Sequence, residues 1–139
     1  MNTAIEADIY GNVNSTHIMG TRMMNGIGGS NDFARGGFLS IFMTSSTTKN
    51  GDISCIVPMC AHVDHTEHDV CVIISEQGVA DLRCLTAYER ADKIIANCAH
   101  PNYKKQLWDY ANISYLRSDA KHGIAPNLFI FESGGIIRH

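Results

Sequence analysis

Glycines dominate the segment from residue 23 to residue 33, MMNGIGGSNDF, where three of them fall within four positions. A backbone without Cβ atoms lets a ligand approach the main-chain N–H groups closely. A tight connection between a strand and a helix explains the same composition equally well. The segment is a candidate ligand-binding turn with flanking polar side chains, and its candidate residues are Asn25, Gly26, Gly28, Gly29 and Ser30.

A single carboxylate, Glu76, follows the apolar run Val70–Ser75 and precedes Gly78. Ligands of open α/β sheets bind at the carboxyl ends of the strands, so this position is suited to face a binding site. A solvated carboxylate or an acid that caps a helix is the alternative interpretation. We take Glu76 and Gly78 as candidate binding residues.

Histidines and acids are concentrated between residues 62 and 69, which suggests a metal site at first sight. Their spacing matches neither HExxH nor a zinc-ligand pattern. A polar loop leading into the next strand is the favoured interpretation, and we predict no metal. A small metalloprotein remains the alternative, with the candidate ligands His62, Asp64, His65, Glu67, His68 and Asp69.

Composition limits the class of protein. The chain has 139 residues, 45% of them hydrophobic and 18% charged, which is typical of one soluble globular domain. Its formal charge of −3 does not favour nucleic-acid binding. No apolar run approaches the roughly 20 residues of a membrane span, and the first residues do not resemble a signal peptide. We therefore expect no nucleic-acid or membrane partner, and a cytoplasmic location.

The five cysteines, an odd number without a CxxC pair, favour reduced thiols over a disulfide framework or a metal cluster. They are Cys55, Cys60, Cys71, Cys84 and Cys98.

The elements that position these residues are predicted from hydrophobic periodicity. A hairpin is expected from strands 4–10 and 13–18, and three apolar runs predict buried strands at 39–44, 53–59 and 70–75. Continuous rather than alternating apolar runs indicate a sheet covered on both faces. The predicted fold class is α/β, with a mostly parallel sheet flanked by helices.

Helices are predicted on either side of this strand-rich part. Ser30, Asn31 or Asp32 is expected to cap a short helix. Thr86 and Glu89 form a capping-box pattern that predicts a helix whose inner face carries Tyr88, Ala91, Ile94, Ile95 and Cys98. Pro101 is expected to start a further helix that ends near residue 114.

Three blocks, taken together and in order, resemble the C-terminal domain of the acetyl-CoA hydrolase/transferase family. They are AIEADIYGNVNSTHIMGTRMMNGIGGSNDF, ISCIVPMCAHVDHTEHDV and IISEQGVADLRCLTAYERADKIIANCAHP. The family comprises class I coenzyme A transferases, such as succinyl-CoA:acetate and 4-hydroxybutyrate CoA-transferases. The resemblance places the domain at residues 1–115 and leaves 116–139 as a divergent tail of that domain.

The resemblance implies a CoA-transferase-like fold and a reaction on acyl-CoA and a small carboxylate, with coenzyme A as substrate and no bound cofactor. It assigns the oxyanion hole to Gly28 and Gly29, and an active-site polar role to Glu76. The catalytic glutamate of the family lies upstream of the matched region, so the isolated chain is expected to be inactive. Its expected partner is the missing N-terminal half or a second copy of the chain.

One departure from the family pattern concerns the glycine loop. Related loops read GGSGD, whereas this chain has Asn31 in place of the last glycine. Asparagine tolerates left-handed backbone geometry better than most residues. A non-enzymatic remnant that binds coenzyme A or another protein is the alternative function.

Overall fold

The computed structural model describes residues 1–118, 130–132 and 135–137. The strands, in chain order, are β1 (Asn2–Thr3), β2 (Glu6–Asp8), β3 (Val13–Asn14), β4 (His17–Ile18), β5 (Arg22–Met23), β6 (Ile41–Met43), β7 (Thr47–Thr48), β8 (Ile53–Ser54), β9 (Ile56–Val57), β10 (Val72–Ser75), β11 (Gly78–Asp81), β12 (Ile130–Glu132) and β13 (Gly135–Ile137). The helices are α1 (Ser30–Gly36), α2 (Ala87–Cys98) and α3 (Pro101–Ser118), and Glu67–Asp69 forms a 3-10 helix.

The central sheet has four strands in the order β1-β6-β10-β11. β1, β6 and β10 are parallel, and β11 returns antiparallel from β10. Phe42 and Ile73, paired in register, are both buried. β10 is buried along most of its length, as predicted, whereas Ile41 and Met43 of β6 are only half-buried. The carboxyl ends of the three parallel strands therefore meet at one edge of the sheet.

A second sheet, β3-β2-β9, lies beside the first. β2 and β3 form the predicted hairpin around a turn at Gly11, where φ is +100°. The Asp8 carboxylate closes this turn by accepting hydrogen bonds from the Tyr10 and Asn12 N–H groups at 3.0 and 2.9 Å. Glycine suits the turn because other residues adopt positive φ at a cost.

Two predicted strands are interrupted. The return strand of the hairpin splits after Asn14, and β4 pairs with β5 instead. The run 53–59 also splits, because β8 pairs with β7 while β9 pairs with β2. Apolar composition alone does not show where a strand exchanges one partner for another.

The helix α2 starts as predicted. Thr86 accepts the Glu89 N–H, and the Glu89 side chain accepts the Thr86 N–H at 2.8 Å, so the capping box is complete. Ala91, Ile94, Ile95 and Cys98 are buried, whereas Tyr88 is 44% exposed. The expectation that Tyr88 belongs to the core is therefore wrong, because residues 86–89 at the start of α2 are all exposed and the buried face begins at Ala91.

The helix α3 packs on α2 and extends to Ser118, four residues beyond the predicted end. Leu107 and Ala111 are buried in the same core as α2. Most of the predicted tail 116–139 lies outside the described residues. Among the helices that the structure describes, none has the length and apolarity needed to cross a membrane.

Candidate functional site

The glycine loop, residues 24–29, connects β5 to α1 and is exposed along its whole length. Gly28 has a φ of +55°, and a Cβ atom there would meet no atom within 4 Å. Within residues 1–118, the Gly28 and Gly29 N–H groups donate no hydrogen bond. Two exposed N–H groups are thus available to a ligand at a bend that favours glycine.

The helix that follows the loop is capped differently from the prediction. Gly29 occupies the N-cap position, without a side-chain cap, and Ser30, Asn31 and Asp32 all lie inside α1. Asn31 is not among the residues with positive φ, so this position does not require left-handed backbone geometry. Its Oδ1 atom is buried and, within the described residues, accepts no hydrogen bond. Asn31 is therefore compatible with the loop conformation at the cost of one unsatisfied acceptor.

Hydrogen bonds hold both ends of the glycine loop. At its start, the Met24 and Asn25 N–H groups donate to the Thr16 carbonyl oxygen at 2.7 and 3.3 Å. At its end, the Ser30 hydroxyl is hydrogen-bonded to His65 Nε2 at 2.9 Å. Between these two points, the hydrogen bonds of the loop within the described part of the chain are with α1: the Ile27 and Gly29 carbonyls accept the Ser30 and Phe33 N–H groups at 3.3 and 3.1 Å.

Thr16 is itself fixed by a carboxylate. Its hydroxyl donates to Asp64 at 2.8 Å, and the Ser15 N–H donates to the same oxygen at 2.8 Å. Burial opposes ionisation of Asp64, but the hydrogen bonds from Ser15, Thr16 and His62 outweigh it and lower the pKa of the carboxyl group. Asp64 is therefore an anion that accepts hydrogen bonds throughout the neutral range.

The histidine–acid segment does not converge on one point. His65 is 1% exposed and its ring lies 4.7 Å from that of Phe42, whereas His62 pairs with Asp64 at 3.1 Å. His68 is exposed and lies 3.8 Å from Glu67. Nowhere in the described ranges do three or more metal-ligating side chains come together. The structure thus gives these residues separate partners, and the metal-site alternative has no geometric support.

Glu76 lies directly after β10, at the carboxyl edge of the central sheet, as the sequence predicts. The Ser46 N–H donates to its carboxylate at 2.8 Å, and the Ser46 hydroxyl donates to the other oxygen. These hydrogen bonds lower the pKa of Glu76 to about 2. Glu76 is an exposed anion held in one place by the segment that follows β6.

Three residues of this region, Thr44, Ser46 and Cys55, were not identified from the sequence as site candidates. Thr44 and Ser46 both follow β6, and the Thr44 hydroxyl donates to the Ile5 carbonyl at 3.4 Å. Burial, together with the charges of Glu6 and Glu76, raises the pKa of Cys55 to about 11, so its thiol is protonated. The available signal was the prediction of a mostly parallel sheet that contains the runs 39–44 and 70–75, because parallel neighbours end at the same edge.

Gly78 has a packing role. A Cβ atom there would lie 2.8 Å from the Asn97 carbonyl oxygen, closer than real Cβ contacts allow. The glycine thus permits the β10–β11 turn to approach the end of α2. Its predicted contact with coenzyme A stays a prediction, as do those of Asn25, Gly26, Ser30 and Glu76.

The candidate residues form two groups. Hydrogen bonds join Ser30, the first residue after the glycine loop, to His65, and join Glu76 to Ser46. Across the described residues, no hydrogen bond or ion pair connects one group with the other. Their side chains and free N–H groups are suited to bind a polar ligand and to stabilise negative charge on an oxygen atom.

A family model described as "Acetyl-CoA hydrolase/transferase C-terminal domain" matches residues 1–111. The chain is 67% identical over 110 residues to succinyl-CoA:acetate CoA-transferase of Clostridium kluyveri, covering 79% of this chain and 20% of that protein. It is 51% identical over 125 residues to acetyl-CoA hydrolase of Candida albicans, covering 87% of this chain and 24% of that protein.

The crystal structure of 4-hydroxybutyrate CoA-transferase from Porphyromonas gingivalis superposes with a TM-score of 0.63 at 30% identity, covering 81% of this chain and 25% of that one. The chain thus spans a fifth to a quarter of the relatives it matches. The mixed sheet with flanking helices is the fold of these CoA-transferases. Because the family model covers most of the residues described above, the chain belongs to the acetyl-CoA hydrolase/transferase family, of which it carries the C-terminal domain.

Proposed function

We propose that this chain forms the oxyanion-stabilising part of an acyl-CoA:carboxylate CoA-transferase or acyl-CoA hydrolase. The observation that carries the proposal is the pair of exposed N–H groups at Gly28 and Gly29, which have no acceptor within residues 1–118. Attack on a thioester carbonyl creates an oxyanion, and one well-placed N–H donor commonly lowers such a barrier by roughly 3–4 kcal/mol. In this proposal, coenzyme A and its acyl thioesters are substrates, and no cofactor is bound.

The attacking carboxylate comes from polypeptide outside these residues. Glu76 is an unsuitable nucleophile here because the hydrogen bonds from Ser46 stabilise its carboxylate and lower its pKa to about 2. Its proposed role is that of a fixed anion that orients a polar group of the substrate, together with Asn25, Gly26 and Ser30. By itself, the chain binds part of the substrate without completing the reaction.

A chimaera tests this function. The 110 residues of this chain that match the Clostridium kluyveri enzyme replace their counterpart in it, and transfer of coenzyme A from succinyl-CoA to acetate is assayed. We expect activity, because the reacting groups from both parts are then present. A folded chimaera without activity would contradict the proposal, and so would saturable turnover of acetyl-CoA by the isolated chain.

Gly28→Ala, made in the chimaera, tests the glycine bend itself through the kcat of CoA transfer. The positive φ at Gly28 disfavours alanine, and a displacement of the N–H groups by about 1 Å is expected to lower kcat by about 100-fold. Gly36→Ala is the matched control, because position 36 has equally open space and lies at the end of α1 without positive φ. Equal activity of both variants would remove the glycine bend from the mechanism.

An interaction module without catalysis is the second candidate. It is favoured by the apolar side chains that the glycine loop and its neighbours expose, among them Phe38, which is fully exposed. Titration calorimetry with coenzyme A and acetyl-CoA separates the candidates when the chimaera is inactive: binding without turnover supports the module.

A further inference from the structure

Two consecutive residues hold both ends of the glycine loop. Asp64 accepts the hydroxyl of Thr16, whose carbonyl accepts the first N–H groups of the loop, and His65 binds Ser30 at its far end. The other hydrogen bonds of the loop in the described structure are to α1: the Ser30 N–H donates to the Ile27 carbonyl at 3.3 Å, and the Phe33 N–H donates to the Gly29 carbonyl at 3.1 Å. Apart from these contacts with α1, the position of Gly28 and Gly29 depends on residues some 35 positions away in sequence.

Hydrogen bonds to a buried strand hold the backbone of Asp64 and His65 in place. The Asp64 and His65 N–H groups donate to the Val13 carbonyl at 2.9 and 3.1 Å, and the Val13 N–H donates back to the His65 carbonyl at 2.8 Å. Val13 is fully buried and belongs to β3. The backbone of the pair is therefore attached to the second sheet.

The His65 side chain connects the loop to the central sheet. Its ring is buried and lies 4.7 Å from the ring of Phe42, which is on β6, the middle of the parallel strands. Ser30 is hydrogen-bonded to the outer nitrogen of this ring. Because the ring is buried and closely packed, it has few available rotamers. Its hydrogen bond to Ser30 therefore fixes the end of the loop relative to the central sheet.

We propose that Asp64 and His65 are positioning residues that set the place and rigidity of the glycine loop. The inference rests on the proposed function for its catalytic meaning, since a rigid loop matters only if its N–H groups stabilise an oxyanion. Preorganised donors stabilise charge without reorganisation at the moment of reaction, and a loose loop loses that advantage.

Nuclear magnetic resonance of the full 139-residue chain tests the His65 anchor without any substrate. Backbone order parameters of Gly28 and Gly29 are compared between the native chain, Ser30→Ala and His65→Phe, which keeps a ring beside Phe42. We expect them to fall from about 0.85 to below about 0.6 in both variants. Ser30→Thr, which keeps the hydroxyl, is expected to restore them. His68→Ala, at an 83% exposed side chain, is the matched control and is expected to change nothing.

Hydrogen exchange tests the Asp64 anchor. Thr16→Val removes the hydroxyl that Asp64 accepts, and we expect the Met24 amide to exchange at least about 10-fold faster while the Ile94 amide in α2 is unchanged. Equal acceleration of both amides would show general destabilisation and overturn the Asp64 role. Unchanged order parameters at Gly28 and Gly29 in both the Ser30→Ala and His65→Phe variants would overturn the His65 role.

The positioning role and the proposed function can be contradicted independently of each other. If the loop stays rigid in the variants while the chimaera is active, the positioning role is wrong and the proposed function stands. If the variants loosen the loop but the chimaera is inactive, the anchors exist and the proposed function fails.

Discussion

At the scale of single residues, His65 illustrates how one buried side chain connects stability to pH. Burial lowers the pKa of His65, and the nearby carboxylates of Asp64 and Asp69 oppose this effect only in part, while Arg35 adds to it. The folded state therefore binds fewer protons at this group than the unfolded state does, at pH values below the ordinary histidine pKa. Stability contributed by neutral His65 is complete above about pH 6.5 and decreases as the pH falls below it.

This sign gives a prediction. The free energy of unfolding of the native chain, minus that of His65→Phe, is expected to fall between about pH 6.5 and 5 and to be constant between pH 7 and 8. Urea denaturation at each pH measures the difference. Subtracting the variant removes the opposite contributions of Glu6 and Asp8, whose pKa values are raised by burial. A difference that is independent of pH would mean that His65 is accessible to protons in the folded state.

At the scale of secondary-structure elements, the junction between the β10–β11 turn and α2 depends on the absence of a side chain at Gly78. We expect Gly78→Ala to destabilise the fold by about 1–3 kcal/mol, because the added Cβ atom would overlap the backbone oxygen of Asn97 and force the elements apart. Thermal and urea unfolding measure the change. Val79→Ala, at the next and half-exposed position, is the control, and a similar loss in both variants would contradict the packing explanation.

The start of α2 offers a second prediction at this scale. Thr86→Ala removes the acceptor of the Glu89 N–H and is expected to cost about 1 kcal/mol. Thr86→Ser keeps the hydroxyl and is expected to retain most of the stability. The Thr86 N–H bond to Glu89 remains in both variants, so their difference in urea midpoint isolates the side-chain cap. Equal midpoints would show that this cap does not contribute to stability.

At the scale of the whole molecule, the exposed apolar side chains are unevenly distributed. Of the twelve large hydrophobic side chains that are exposed in the described part of the chain, seven lie between residues 18 and 38. This segment contains the glycine loop. Exposed apolar side chains concentrated in one part of a protein often mark an interface.

We therefore expect the segment to contact the polypeptide that, in the longer relatives, accompanies this domain. Replacing both Phe33 and Phe38 with serine is expected to weaken the association of this chain with the separately expressed remainder of the Clostridium kluyveri enzyme by at least about 10-fold, as measured by analytical ultracentrifugation. Val79→Ser changes an exposed apolar side chain outside the segment and serves as the control. The interface lies elsewhere if both changes weaken the association equally, or if neither change weakens it.

Residue spacing along the chain is sufficient to predict the elements that form between neighbouring residues. The Thr86–Glu89 capping box, the Gly11 turn and the buried face of α2 at Ile94 and Ile95 follow from spacing, because caps, turns and helical faces form between residues close in the chain. The order of the three sequence blocks identified the family, and the position of Glu76 after a parallel strand located it at the correct edge of the sheet.

The tertiary structure alone decided which distant groups meet. Three such contacts join residues that are 30, 35 and about 19 positions apart: Glu76 with Ser46, Ser30 with His65, and Gly78 with the Asn97 backbone. No periodicity in the sequence encodes them. Folding also separates histidines that are close in sequence: His65 is buried where it pairs with Val13, whereas His68 is exposed on the 3-10 helix Glu67–Asp69. Local order is set by short-range hydrogen bonding, whereas the partners at a site are set by how the sheets pack.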